Sequence, residues 1–148
     1  MDHVNRIFNS KTTHGDLCLA DSATTHIILK DKRYFSQLKF LHGNVNTISG
    51  PADLIEGSGR ANITLPGGTR FNIDNALYSS RSKRNLLSFK DIRNNGYHVE
   101  TMDENNVEYL CITSMISGEK TILEKLSTLS LGLYYTYINM AKSHAIVN

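Results

Sequence analysis

The chain has 148 residues, of which 40% are hydrophobic and 20% are charged, and it contains two prolines. This composition is typical of one globular domain and excludes a disordered chain. The 16 basic and 14 acidic residues leave a formal charge of +2, which is too even to favour nucleic acid or an anionic membrane as a partner. The apolar runs are too short to span a bilayer, and the first residues lack the pattern of a signal peptide. We therefore expect a soluble intracellular chain, located in the cytoplasm.

The cysteines and histidines do not predict a metal site. Two cysteines, Cys18 and Cys111, are too few for a disulfide framework or a four-thiolate zinc site. We interpret them as buried, reduced thiols, with one disulfide between them as the alternative. The six histidines show no zinc-ligand spacing with cysteines or carboxylates, and we interpret His26 as a packed or surface imidazole. The sequence predicts no metal and no organic cofactor.

The first half of the chain predicts short strands. Residues 1–15 are a polar lead-in, residues 17–20 form an apolar strand that ends at Asp21, and the β-branched residues 24–29 continue as extended structure. Further strand candidates lie at residues 46–50 and 52–57. Residues 60–78 alternate polar and apolar side chains around a Pro-Gly-Gly turn, which predicts a hairpin.

The second half predicts one short helix followed by more strands. Residues 79–84 form a basic loop, which we interpret as a solvated connection, with phosphate binding as the alternative. Ser88 is the expected N-cap of a helix at about 89–94, and Asp91 is expected to bond back to that cap. Gly96 is expected to end the helix in the left-handed conformation. Strands are predicted near residues 97–102, 107–112, 121–126 and 132–138. The fold class is therefore mainly β, a closed or nearly closed barrel with one short helix.

A first candidate site is the end of the first strand. An apolar strand there delivers a carboxylate, a hydroxyl and a very small residue, Asp21, Ser22 and Ala23. An aspartic protease needs that order, because the carboxylate activates water, the hydroxyl braces the site and a small residue lets two such loops meet. Taken alone, an aspartate that caps a turn is the commoner explanation of such a segment.

A second candidate segment is rich in glycine. Gly57, Ser58 and Gly59 come immediately before the predicted hairpin. Glycine lets the backbone approach a ligand closely, although an ordinary turn gives the same pattern.

A third segment completes a resemblance to a known family. It consists of Asn85, Leu86, Leu87 and Ser88, followed by the predicted helix and Gly96. In order and spacing the three segments resemble retropepsins. They resemble still more closely the β-barrel segment of copia-type (Ty1/copia) retrotransposon Pol polyproteins, the transposon TNT 1-94-like β-barrel domain.

The resemblance implies a fold, a division of the chain and an activity. Residues 16–102 would form a retropepsin-like β-barrel, residues 103–138 a β extension toward the region before the integrase, and residues 139–148 a tail. The activity would be that of an aspartic endopeptidase that cleaves a Gag–Pol polyprotein. Asp21, Ser22 and Ala23 would be its catalytic residues, and residues 57–59 its substrate-binding flap.

The resemblance also implies that the enzyme is a homodimer. Because the chain has one Asp-Ser-Ala loop, a site of two carboxylates requires Asp21 from each of two copies. Ala23 stands where the family usually has glycine, and its methyl group crowds the place where the two loops meet. This departure favours the alternative, which is a degenerate, non-catalytic β-barrel interaction module of a truncated retroelement.

Overall fold

A computed structural model of the protein describes residues 15–41 and 55–140. The strand candidate at residues 46–50 and the first three residues of the candidate at 52–57 lie outside these ranges, as do residues 1–14 and 141–148. Of the second candidate, residues 55 and 56 are not in a strand, and Gly57 begins β4. Within the described ranges, no helix is long and apolar enough to cross a membrane.

In the first half, β1, β2, β4 and β5 follow the predicted order, although β2 is short, and β3 was not predicted. Their bounds are β1 Asp16–Asp21, β2 Ile28–Leu29, β3 Phe35–Phe40, β4 Gly57–Thr64 and β5 Arg70–Tyr78. A 3-10 helix over Lys32–Tyr34 leads into β3. Residues 24–27 were expected to be extended, but they belong to the loop between β1 and β2.

The second half contains the predicted helix, α1, and longer strands than expected. The bounds are β6 Asn85–Ser88, α1 Phe89–Asn94, β7 His98–Glu104, β8 Val107–Ile116, β9 Glu119–Ser130 and β10 Leu133–Met140. The side chain of Ser88 caps α1 by accepting a hydrogen bond from the Lys90 amide at 3.1 Å, as predicted. Gly96 ends the helix with φ +91°, also as predicted.

The β4–β5 hairpin is confirmed. Its strands pair antiparallel from Gly57 opposite Tyr78 to Thr64 opposite Arg70. The turn closes with a hydrogen bond from the Leu65 amide to the Thr69 carbonyl at 2.8 Å. Local turn chemistry and strand alternation are sufficient to specify this element.

The strands of the described residues form one sheet that returns on itself. Their order is β3-β4-β5-β2-β6-β1-β10-β9-β8-β7, and β10 also pairs with β4. Within the described ranges, β4, β5, β2, β6, β1 and β10 therefore form a hydrogen-bonded ring. The mainly β fold with one short helix is confirmed for these ranges, while a closed barrel remains a prediction.

The hydrophobic core joins strands of this ring to α1 and to β8 and β9. Side chains from β1, β4, β5 and β10 meet there with α1, and Phe71, Ile63, Ile138 and Ile92 are fully buried. Both cysteine thiols are free and buried, as expected. Burial raises the pKa of each thiol, because the thiolate is poorly solvated in the protein interior.

The last strand is part of the ring. Residues 16–21 of β1 pair with β10 along their whole length, from Asp16 opposite Ile138 to Asp21 opposite Leu133. The division of the chain at residue 102 stays a prediction, and β1 and β10 pair across it. Asn139 and Met140, expected in the tail, pair with β4.

Candidate functional site

Asp21 lies at the end of β1, where the chain leaves the sheet. Its Cα is in register with Leu133 of β10 and Ser88 of β6. The Asp21 side chain is half-buried, and its Oδ1 accepts a hydrogen bond from the Ala23 amide at 2.9 Å. The Asp21 carbonyl accepts another from the Thr24 amide at 3.1 Å. These two bonds hold the carboxylate over a tight turn, with Ser22 and Ala23 exposed beside it.

The loop that begins with this turn crosses the end of a third strand. β1 and β2 follow each other in sequence but do not pair, because β6 lies between them. β6 is parallel to β1 and antiparallel to β2. Asp21 is in register with Ser88, the last residue of β6, so the loop leaves β1 beside the point where β6 becomes α1.

Asn85 ties the two flanking strands together across β6. Its side chain is buried, and its Oδ1 accepts a hydrogen bond from the Lys30 amide at 2.9 Å. Its Nδ2 donates to the Leu17 carbonyl at 3.0 Å. The amide thus bonds one backbone group in β1 and one directly after β2. Sequence reasoning did not assign this role, and the signal for it was an asparagine directly before two leucines of β6.

Leu86 and Leu87, which follow Asn85 in β6, pack in or pair within the sheet. Leu87 is fully buried in the core. Leu86 is half-buried, and its Cα is in register with Leu19 on one side and with Ile28 on the other. The motif around Asn85 therefore encodes the strand that separates β1 from β2.

Asp91 binds a different partner from the one expected. Its Oδ2 accepts a hydrogen bond from the Ile27 amide at 3.2 Å, at the far end of the loop that carries Asp21. The expected bond back to the cap of α1 is replaced because a buried amide from another segment competes for the carboxylate. Burial raises the pKa of Asp91, while the Ile27 amide, His26 and Lys90 lower it less.

The glycine-rich segment is a paired strand. Gly57, Ser58 and Gly59 are the first residues of β4, which is hydrogen bonded to β3 on one side and to β5 on the other. A Cβ atom on Gly59 would lie 1.9 Å from the Gln37 carbonyl oxygen. The alternative of an ordinary turn is therefore wrong, because these residues are in a strand where glycine permits the close approach of β3. The role of these residues in binding a substrate stays a prediction.

A shallow groove of about 330 Å³ lies over the junction of β3, β4 and β5. Ser58 and Gly59 line it together with charged side chains, among them Arg60 and Asp74, which form an exposed ion pair at 3.3 Å. The groove is open to solvent, and its lining combines charged side chains with apolar surface from residues such as Leu38.

Two carboxylates that sequence reasoning missed hold loops in place. Buried Glu124 of β9 accepts hydrogen bonds from the Gly67 amide at 2.8 Å and the Thr69 amide at 3.1 Å, in the β4–β5 turn. Oε2 of Glu56 accepts hydrogen bonds from the Ser80 amide and hydroxyl, each at 2.7 Å. These bonds from Ser80 keep the pKa of Glu56 below its usual value.

No group of three or more His, Cys, Asp or Glu side chains in residues 15–41 and 55–140 is arranged to hold a metal ion. The arrangement around Asp21 therefore offers a carboxylate, a neighbouring hydroxyl and backbone amides as its chemical groups.

The family assignment rests on the segment that carries this arrangement. The family model described as Pol polyprotein, beta-barrel domain matches residues 18–97, from β1 to the residue after Gly96. The chain belongs to this family. It is a β-barrel domain of a retrotransposon Pol polyprotein, as the resemblance implied. Searches of curated proteins and of solved structures returned no match.

The matched segment is smaller than the structural unit. It includes the Asp21 loop, the β4–β5 hairpin, β6 and α1, whereas β7 to β10 lie beyond residue 97. β10 also lies beyond the matched segment, although it completes the ring between β1 and β4.

Proposed function

We propose that this Pol domain is an aspartic endopeptidase that acts on a Gag–Pol polypeptide as a homodimer. The observation that carries the proposal is the placement of Asp21. Its carboxylate is fixed by the Ala23 amide at the end of a strand, on a loop whose next two residues are exposed. A second copy could therefore approach this loop without unfolding the ring.

The chemistry requires two such carboxylates close together. Two neighbouring carboxylates do not both ionise, so the pair shares one proton and titrates with two separated apparent pKa values. One carboxylate then takes a proton from a bound water, and the other donates a proton to the scissile carbonyl. Ser22 from each copy would brace the two loops against each other.

The test compares Asp21 with an aspartate that lies away from both candidate segments. Wild type, Asp21→Asn and Asp103→Asn are incubated with an internally quenched peptide library between about pH 4 and pH 7, and sedimentation gives their oligomeric states. Asp103 is exposed on β7, which is not a strand of the ring, and serves as the control. We expect a dimeric wild type whose cleavage falls at least about 100-fold in Asp21→Asn and is unchanged in Asp103→Asn.

Equal cleavage by wild type and Asp21→Asn would overturn the proposal, and so would a wild type that stays monomeric at every concentration. The second candidate function would then stand, which is a non-catalytic interaction module of the polyprotein. One observation favours it: residues 57–59 are hydrogen bonded on both sides, so a peptide could pair with them only by displacing β3 or β5.

A further inference from the structure

The loop between β1 and β2 is held at both ends by carboxylates. At its beginning, Asp21 bonds the Ala23 amide at 2.9 Å. At its end, Asp91 bonds the Ile27 amide at 3.2 Å, although 64 positions separate the two residues in sequence. The Ile27 carbonyl accepts a hydrogen bond from the Leu77 amide of β5 at 3.0 Å. Ile27 is fully buried, so its backbone forms a fixed end for the loop.

Of the hydrogen bonds just described, the one from the Ile27 amide to Asp91 connects the loop to α1. It is the third residue of α1, and the hydrogen bond of Ser88 at the start of the helix fixes the orientation of this turn. A buried amide needs an acceptor, because leaving a donor without a partner in the interior is costly. The carboxylate of Asp91 meets that need and connects α1 to the loop that carries Asp21.

We propose that Asp91 is a positioning residue, which fixes the Asp21 loop by accepting the hydrogen bond of the Ile27 amide. The effect on catalysis rests on the proposed function. The effect on the loop does not, and it can be measured without any substrate.

The variants separate loss of the acceptor from loss of stability. Asp91→Leu removes the acceptor at similar size, whereas Asp91→Asn keeps an oxygen that can accept from Ile27. Glu124→Met is the matched control, since it removes another carboxylate that holds two backbone amides. The turn held by Glu124 adjoins the Thr64 end of β4, which pairs with the seventh residue of β10, while Asp21 pairs with its first. The control site is therefore roughly 20 Å along the strand from Asp21.

The first readout is amide NMR of the full chain. In Asp91→Leu we expect the Ile27 amide to exchange at least about tenfold faster, and the Ala23 and Thr24 resonances to shift. Asp91→Asn should restore the wild-type positions, and Glu124→Met should leave these three amides unchanged. Unchanged amides in Asp91→Leu, or equal changes in Glu124→Met, would overturn the proposal.

A pH titration keeps the test valid if Asp91→Leu fails to fold. The groups whose charges act on the Asp91 carboxylate in the described part of the chain are His26 on the loop and Lys90 on α1. The wild-type Ile27 amide should titrate with the same midpoint as the Asp91 carboxyl carbon, and this midpoint should persist in His26→Gln. In Asp91→Asn it should vanish. An Ile27 amide that does not titrate with Asp91 in the wild type would overturn the proposal.

The catalytic readout is recorded separately. In Asp91→Leu, kcat should fall roughly tenfold while KM changes less than about twofold, because the substrate-binding surface is untouched. A fall of the same size in Glu124→Met would overturn the positioning role. If the wild type cleaves no peptide, the proposed function fails, and the amide measurements still decide whether Asp91 holds the loop.

Discussion

Asn85 holds together two strands that its own strand separates. One side-chain amide bonds the Leu17 carbonyl on one side and the Lys30 amide on the other. A leucine at this position would fit the apolar pattern of β6 but would leave both backbone groups without their partner. The polar residue is therefore required by the insertion of β6 between β1 and β2.

Replacing this amide tests its contribution to stability. Asn85→Leu should lower the free energy of unfolding by about 2–4 kcal/mol, because a buried donor and an acceptor lose their hydrogen bonds. Asn75→Ala, at an exposed position on β5, should change it by less than about 0.5 kcal/mol. Urea denaturation of both variants and wild type measures the difference. Equal losses would show that Asn85 does not bridge the strands in solution.

Asp91 gives the stability of the protein a pH dependence of known sign. Burial raises its folded-state pKa above the ordinary value of 3.8, so the folded state binds this proton more tightly than the unfolded state does. The resulting stability is complete below the unfolded-state pKa and is lost as pH rises through the folded-state pKa. The unfolding free energy of wild type minus that of Asp91→Asn should therefore fall as pH rises from below 3.8 through the folded-state pKa. A difference that rises with pH would contradict the assignment of burial as the cause.

At the scale of elements, the β3–β4 pair depends on a missing side chain. β3 approaches β4 so closely that a methyl group on Gly59 would overlap the Gln37 carbonyl. Gly59→Ala should therefore lower the free energy of unfolding by about 1–3 kcal/mol and expose the β3 amides to hydrogen exchange. Ser58→Ala on the same strand should cost less than about 1 kcal/mol. If the β3 amides stay protected in Gly59→Ala, the two strands accommodate the added methyl group and keep their hydrogen bonds, which contradicts this prediction.

Elements with local signals were predictable from the sequence. The hairpin over β4 and β5 has a Pro-Gly-Gly turn between alternating strands, and α1 has both a serine cap and a terminal glycine. Each of these signals acts over a few residues, so the sequence around the element contains the information that specifies it.

Features that depend on distant segments were not predictable in the same way. The extended structure expected over residues 24–27 is a loop, because the Asp21 turn and the Asp91 contact bend the chain there. The predicted hydrogen bond from Asp91 to the helix cap was wrong, because the partner of Asp91 is the Ile27 amide, which lies 64 positions away in sequence. At the candidate site, the residue types alone indicated the chemical groups of Asp21, Ser22 and Ala23. The pairing of residues 57–59 on both sides could not be predicted, because it depends on which strands lie beside β4 in the sheet.

At the scale of the whole molecule, the ring includes one strand, β10, that lies beyond the family match. A fragment of residues 15–102 contains β1 and β4 but lacks β10, with which both strands pair. We expect this fragment to show no cooperative thermal unfolding by circular dichroism, whereas residues 15–140 unfold cooperatively. A cooperatively folded short fragment would show that residues 16–102 are the independent unit.

The placement of β10 also determines when the domain can form during synthesis. β1 leaves the ribosome before the other strands of the ring, yet its two neighbours are residues 85–88 and residues 133–138. A nascent chain must therefore wait, with the apolar side chains of β1 exposed, until nearly the whole domain has been translated. Such long-range pairing slows folding and gives chaperones or other chains time to bind the unpaired strand. A ribosomal pause before residue 133 would therefore prolong the time for which β1 lacks its β10 partner.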